Sequence, residues 1–232
     1  MDSPYDDIAR LYDPWSRSVT EDVPFYLEEA RRSGGPVVEL GVGTGRIAVP
    51  IASDGIRVIG VDCSRAMLDV CAERAALAGA VVDLRLGDLR EPPVDERVPL
   101  VICPFRSLLH MQNDGDRRVA LRAVQRLLEP GGRFIFDVFA PSKEDIVETN
   151  GRWLEREPQI YERADWDEHA RTLTLSVRGV DSESTMQLSW LEPKEWQALL
   201  RDEGFAVEAC YGWFDRRPYS RGEDTIWVAS PS

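Results

Sequence analysis

The 232-residue chain is predicted to fold as an α/β protein: a doubly wound, mostly parallel seven-stranded sheet with helices on both faces and a small antiparallel β insertion after the fifth strand. Three observations predict it. Short apolar runs alternate with segments of helical periodicity, as a parallel sheet covered on both faces requires. A glycine-rich turn follows the first run directly. Beyond Pro141 the pattern changes to period two, the signature of half-exposed antiparallel strands.

The elements follow in order. Pro36-Val37-Val38-Glu39-Leu40 reads as the first strand, and Arg46 to Ala52 as a helix despite the interior Pro50. Arg57 to Asp62 is the second strand. Ser64 is the N-cap of a helix carrying Met67, Leu68, Val70, Cys71 and Leu77, which Gly79 ends. A third strand, Ala80 to Leu86, stops at Gly87-Asp88, and a fourth, Leu100 to Cys103, runs into Pro104. Helical periodicity from Asp116 to Leu128 closes on Pro130-Gly131-Gly132, and Arg133 to Phe139 forms the fifth strand. Within the insertion the clearest runs are Thr172 to Val177 and Thr185 to Trp190. Pro193 suits the first turn of a helix over Lys194 to Glu203 that Gly204 ends. Phe205 to Tyr211 and Asp224 to Ala229 then complete the sheet as an antiparallel pair.

Composition narrows the function classes. With 28 Lys plus Arg against 41 Asp plus Glu, the net charge is −13. Gripping a phosphate backbone needs cationic side chains that displace counterions, so no nucleic-acid partner is expected. The 43% hydrophobic and 30% charged content is that of a globular chain. No apolar run approaches the roughly 18 residues of a spanning helix. The start, Met1-Asp2-Ser3-Pro4-Tyr5-Asp6-Asp7, lacks the basic-then-apolar pattern of a secretory signal. No membrane partner and a cytoplasmic location are therefore expected. Cys63, Cys71, Cys103 and Cys210 form no C-x-x-C pair and are expected to be buried free thiols. His110 and His169 lack the i, i+4 spacing of a helical metal site, so no metal is expected.

The chemistry concentrates in Glu39-Leu40-Gly41-Val42-Gly43-Thr44-Gly45, three alternate glycines between a strand and a helix. Glycine is needed where φ is positive and where a ligand approaches the main chain, and the next helix offers unpaired N–H groups. The G-x-x-x-x-G-K-[ST] loop is absent, and Arg46 stands where a dinucleotide fingerprint would place its third glycine. Asp62 lies 21 residues after Gly41, about where an acidic residue reaches a ribose hydroxyl. Asp88 closes the next strand. Ligands of open parallel sheets bind outside the carboxyl ends of the strands, and all three features fall on that edge.

The runs E-L-G-x-G-T-G-R at Glu39 to Arg46, V-x-G-V-D-x-S-x-x-M-L at Val58 to Leu68, Gly87-Asp88-Leu89 and L-x-P-G-G-x-F-I-F-D at Leu128 to Asp137 resemble the class I S-adenosylmethionine-dependent methyltransferases. Tyr5-Asp6-x-Ile8-Ala9-x-Leu11-Tyr12-Asp13 resembles the N-terminal lid of small-molecule members, among them the amino-sugar and glycine N-methyltransferases. The resemblance implies S-adenosyl-L-methionine as cofactor, with S-adenosyl-L-homocysteine as product. It places the methionine part on the turn of Glu39, Gly41, Gly43, Gly45 and Arg46, the ribose on Asp62, and the adenine amino group on Asp88. Met67 and Leu89 would surround the ring, Pro104 is a further cofactor-binding residue, and Tyr12 would close the lid. One domain is expected, with lid helices over 1–30, a cofactor-binding core over 35–141, a substrate cover over 150–190, and a C-terminal helix and strands over 193–229.

Methyl transfer needs an aligned nucleophile, exclusion of water and, for an ammonium or hydroxyl acceptor, a place for a proton. His110, just past the fourth strand, is the candidate base or acceptor-orienting residue, and His169 is read as a surface residue. Trp153, Tyr161, Trp166, Trp190, Trp196, Trp213, Tyr219 and Trp227 either line an acceptor pocket or form the core of the small sheet. Arg152, Arg156, Arg163, Arg216, Arg217 and Arg221 either clamp an anionic substrate or sit at the surface. The expected partner is a small-molecule methyl acceptor, and the chain a monomer or homodimer. A cofactor-binding but non-catalytic scaffold and a nicotinamide-dependent oxidoreductase are the alternatives.

Overall fold

The computed structural model describes residues 5–232, so Met1 to Pro4, the beginning of the expected lid and of the leader argument, lie outside the described residues. Two helices, α1 (Ala9–Trp15) and α2 (Asp22–Ser33), precede the sheet. Then alternate β1 (Val37–Leu40), α3 (Ala48–Ser53), β2 (Val58–Asp62), α4 (Arg65–Ala78), β3 (Val82–Leu86), β4 (Val98–Cys103), α5 (Asp114–Leu127) and β5 (Leu128–Phe139). α6 (Lys143–Thr149), β6 (Trp153–Glu157), β7 (Ile160–Asp167), β8 (Thr172–Arg178) and β9 (Glu183–Ser189) follow, and α7 (Pro193–Asp202), β10 (Phe205–Tyr211) and β11 (Asp224–Pro231) close the chain.

The main sheet has the order β10-β11-β5-β4-β1-β2-β3, and β6 to β9 form a separate antiparallel sheet in sequence order. β1 to β5 are mutually parallel, and β11 runs antiparallel to both β5 and β10. The carboxyl ends of β1, β2, β3, β4 and β5 therefore share one edge, and the start of β11 joins them where Asp224 pairs with Phe139. β1, with all four residues buried, Glu39 among them, has the continuous burial of a strand covered on both faces. No helix among the described residues is long and apolar enough to cross a membrane.

Local chemistry sets the boundaries. Ser64 caps α4 by accepting from the Met67 N–H, and Gly79 ends the helix in the left-handed region. Pro50 is tolerated because it lies in the first turn of α3, where the N–H would have no intrahelical partner. Strand β5 begins at Leu128 rather than at Arg133. Val98 pairs with Leu128 ahead of a register shift, so Pro130-Gly131-Gly132 is an irregularity within the strand and not a closing turn. α6 is additional to the expected elements. Its signal is Ser142-Lys143-Glu144-Asp145, a capping box in which the Ser142 hydroxyl accepts from the Asp145 N–H and the Asp145 side chain accepts from the Ser142 N–H.

The thiols need one correction. Cys71 and Cys103 are buried and Cys210 is partly so, but Cys63 is exposed, because it stands in the turn just after β2 rather than in a strand. His169 is exposed, as expected.

Gly45 has φ +78°, and a Cβ there would collide with the Cys71 Sγ and lie 3.0 Å from Val49 Cγ2. Left-handed strain and overpacking combine, so Gly45→Ala is expected to lower the unfolding free energy by about 2 kcal/mol or more. Urea unfolding measures it, and a midpoint equal to that of the parent chain would refute this packing role.

Candidate active site

A cavity of about 1090 Å³ opens along the shared strand edge. Gly41, Gly43, Asp62, Met67, Asp88, Leu89, Tyr12 and His110 all line it. Asp62, the last residue of β2, accepts from the Gly43 N–H at 2.8 Å on one oxygen and from the Ser64 N–H at 2.9 Å on the other. One carboxylate thus ties the glycine turn to the N-terminus of α4. Each oxygen keeps a lone pair for further donors. Burial raises its pKa, and the backbone N–H groups oppose that shift. Gly41 and Gly43 take positive φ, and a Cβ on Gly41 would stand 2.7 Å from Ser107 Oγ. The turn can pack against the loop after β4 only as glycine.

Asp88 is held differently. Arg90 donates to its Oδ1 through the main-chain N–H at 2.8 Å and Nε at 2.9 Å, and to Oδ2 through Nη2 at 2.6 Å. That guanidinium keeps the carboxyl below its ordinary pKa, ionised and able to accept from a ligand amine. These features fit an adenosyl cofactor: paired acceptors for ribose hydroxyls, an ionised acceptor one strand further on, and apolar Met67 and Leu89 beside them.

Four expected site residues stand off the cavity wall. Glu39 is 2% exposed in β1, its pKa pushed well up by burial, and its Oε2 has no hydrogen-bond partner. Gly45 faces Cys71 and Val49, so it serves helix packing. Arg46 forms a bidentate pair with buried Asp22, both contacts at 2.6 Å, and its guanidinium lies 4.8 Å from the Phe105 ring centroid. It therefore ties α2 to the turn. Pro104 contributes its carbonyl, which accepts from Ser107 Oγ at 2.8 Å.

His110 sits in a 3₁₀ turn over Ser107–His110, with Nδ1 3.0 Å from the Tyr5 hydroxyl. Burial lowers its pKa to about 4, so the ring is neutral at physiological pH. Among the described residues its Nε2 has no hydrogen-bond partner.

The sequence reading missed Asp137, which lines the cavity from β5. Its Oδ1 accepts from the Tyr26 hydroxyl at 2.6 Å and the Phe105 N–H at 2.9 Å, and its Oδ2 from the Arg106 N–H at 3.2 Å. Phe105 and Arg106 have φ of 53° and 64°, conformations costing roughly 1–3 kcal/mol each in non-glycine residues. Held this way, the Phe105 ring packs edge-on against Tyr12 and Trp15 of α1. Only the terminal aspartate of the F-I-F-D run could have signalled this role.

The far half of the cavity is walled by Phe139, Trp166, Leu173, Leu175, Met186 and Leu188, the last five from the inner face of the four-stranded sheet. Trp190, Trp196 and Trp227 are core instead. Arg163, Arg216 and Arg217 are paired with Asp165, Glu28 and Glu29, and Asp215, so the expected anion clamp divides into structural ion pairs. Arg156 reaches the cavity 3.8 Å from Glu162, which also accepts from Trp15 Nε1 at 2.8 Å.

A glycine turn pinned by Asp62 at the strand edge, opening into an apolar chamber of the same cavity, has the form of a nucleotide-type ligand site of the open α/β class with room for a second ligand beside it. Residues 37–132 match the model of a methyltransferase domain. The putative methyltransferase YqeM of Bacillus subtilis (strain 168) is 24% identical over 95% of this chain and 91% of its own. The CcbJ methyltransferase of Streptomyces caelestis superposes with a TM-score of 0.81 at 25% identity, covering 94% of this chain and 98% of that one. CalS10 of Micromonospora echinaspora, an amino pentose methyltransferase solved with S-adenosylmethionine bound, gives 0.68 at 19% identity over 94% of each chain. Over residues 37–132 the chain is thus similar to a methyltransferase domain, and its fold as a whole is that of the CcbJ methyltransferase.

Burial holds the Asp137 pKa at about 6, above an unfolded value of about 3.9. The folded state then binds more protons between these values, so this group's stabilisation is complete below about pH 4 and is lost as pH rises through 6. Urea unfolding across pH 4 to 7 is expected to show a loss on the order of 3 kcal/mol from this source. Asp137→Asn should flatten that component, and an unchanged pH slope would contradict it.

Proposed function

We propose that this protein transfers the methyl group of S-adenosyl-L-methionine to a small molecule held in the apolar chamber beneath the four-stranded sheet. The observation that carries the reading is the single cavity joining the Asp62-pinned glycine turn to that chamber. Gly41, Gly43, Asp62 and Asp88 would hold the cofactor, which supplies an electrophilic methyl group when bound. The protein's own part is to align the acceptor for in-line displacement, exclude water with the sheet and α1, and receive a proton. His110 suits the last task. Its neutral ring offers a nitrogen toward the cavity when the proton sits on Nδ1 and is shared with the Tyr5 hydroxyl. CalS10 methylates an amino pentose by its name, which supports an acceptor of small-molecule size. A cofactor-binding scaffold is the second reading, and labelled-methyl turnover separates the two.

Asp62→Ala is expected to weaken S-adenosyl-L-homocysteine binding by roughly 1.5–3 kcal/mol per lost charge-assisted hydrogen bond, measured by calorimetry. Unchanged affinity would remove Asp62 from the cofactor site. His110→Ala should lower kcat by roughly 10²- to 10⁴-fold with cofactor affinity retained. Because the His110 pKa lies near 4, kcat/KM should show no histidine limb between pH 6 and 7, and a limb there that His110→Ala abolishes would contradict the buried neutral ring.

A further inference from the structure

The cavity's charge is lopsided. Ten of its lining residues carry carboxyls and three carry guanidinium groups. Each of the three guanidinium groups already faces an acid: Arg90 faces Asp88 and Asp116, Arg106 lies 3.0 Å from Asp224, and Arg156 lies 3.8 Å from Glu162. A carboxylated or phosphorylated acceptor would thus enter a field of its own sign and find no uncommitted guanidinium.

At the chamber's end, where β5 leaves the main sheet and β11 enters it, Asp145 and Glu223 face each other across the cavity wall. Among the described residues neither forms an ion pair. Burial and the adjacent Asp145 push the Glu223 pKa up to about 7, while the hydrogen bond to Glu223 holds Asp145 down, so the two carboxyls ionise less readily together than two separate ones would. Beside it stand Phe139 and Trp166, packed edge to face with centroids 6.1 Å apart. Aromatic faces attract cations. The Phe139 face already holds one, since the Arg106 guanidinium lies 4.6 Å from its centroid with its charge matched by Asp224. In the same cavity, His110 Nε2, which has no hydrogen-bond partner among the described residues, marks a second polar position.

We propose that the acceptor is a cationic amine on an apolar body, its ammonium group anchored by Asp145 and Glu223 and its body lying over Trp166 and the leucines of the four-stranded sheet. The inference rests on reading this chamber as the acceptor site. A bound ammonium favours the ionised form of both carboxyls, so its charge is matched by the pair. The same pair rejects the alcohol isostere, which cannot replace the counter-charge, and repels the carboxylate isostere.

Three indoles of matched shape test this by calorimetry: tryptamine, tryptophol and indole-3-propionate, each titrated with and without saturating S-adenosyl-L-homocysteine. Tryptamine is expected to bind at least tenfold more tightly than the other two. Asp145→Asn with Glu223→Gln should remove that preference. Glu223→Gln alone, which retains Ser142 and Asp145 of the α6 capping box, should reduce it at least threefold. Equal binding of the three probes, no binding of tryptamine at millimolar concentration, or a preference that survives in the double variant would each overturn the proposal. Failure of S-adenosyl-L-homocysteine to bind would instead overturn the methyltransferase reading, and the ranking of the indoles on the cofactor-free protein would still decide the acceptor class.

Discussion

The site depends most on one buried carboxylate. Asp137 gathers a hydroxyl from α2 and two consecutive main-chain N–H groups from the segment after β4. Those N–H groups belong to residues in left-handed conformations, and the hydrogen bonds offset the strain of roughly 1–3 kcal/mol each. The return is the placement of the Phe105 ring, against which Tyr12 and Trp15 pack. Through that contact α1 is seated over the strand edge. Asp13 of α1 accepts hydrogen bonds from Thr44 Oγ1, at 2.6 Å, and from Arg74.

The same helix spans both halves of the cavity. Asp13 reaches the glycine turn and α4, and Trp15 reaches Glu162 on the four-stranded sheet. The glycine turn and the four-stranded sheet are therefore mechanically joined by seven residues of helix. Such an arrangement suits a reaction in which two substrates must be aligned and water kept out.

The acidity of the chain takes on a local meaning here. Much of the surface charge is consumed in pairs such as Arg31–Asp54 and Arg57–Glu96, exposed contacts worth little in stability. The carboxyls of the cavity differ, because the lower dielectric there strengthens each of their interactions. Asp62 and Asp88 share this property but not its cause: backbone N–H groups hold Asp62, and a guanidinium holds Asp88.

The sequence by itself determined the alternation of strands and helices, the positive-φ glycines of the turn, and Asp62 and Asp88 at strand ends, because each follows from local periodicity, capping or spacing. It also marked the inserted sheet through its period-two runs, and it left α6 legible in the Ser142–Asp145 capping box. Only the tertiary structure decided the rest. That Arg46 pairs with Asp22, that Asp137 holds Phe105 and Arg106, and that Asp145 meets Glu223 are contacts across 24, about 30 and 78 positions of sequence. No periodic pattern encodes such pairs. They arise where parallel strands bring their carboxyl ends to one edge and an antiparallel last strand returns to it, and that convergence exists only once the sheet has formed.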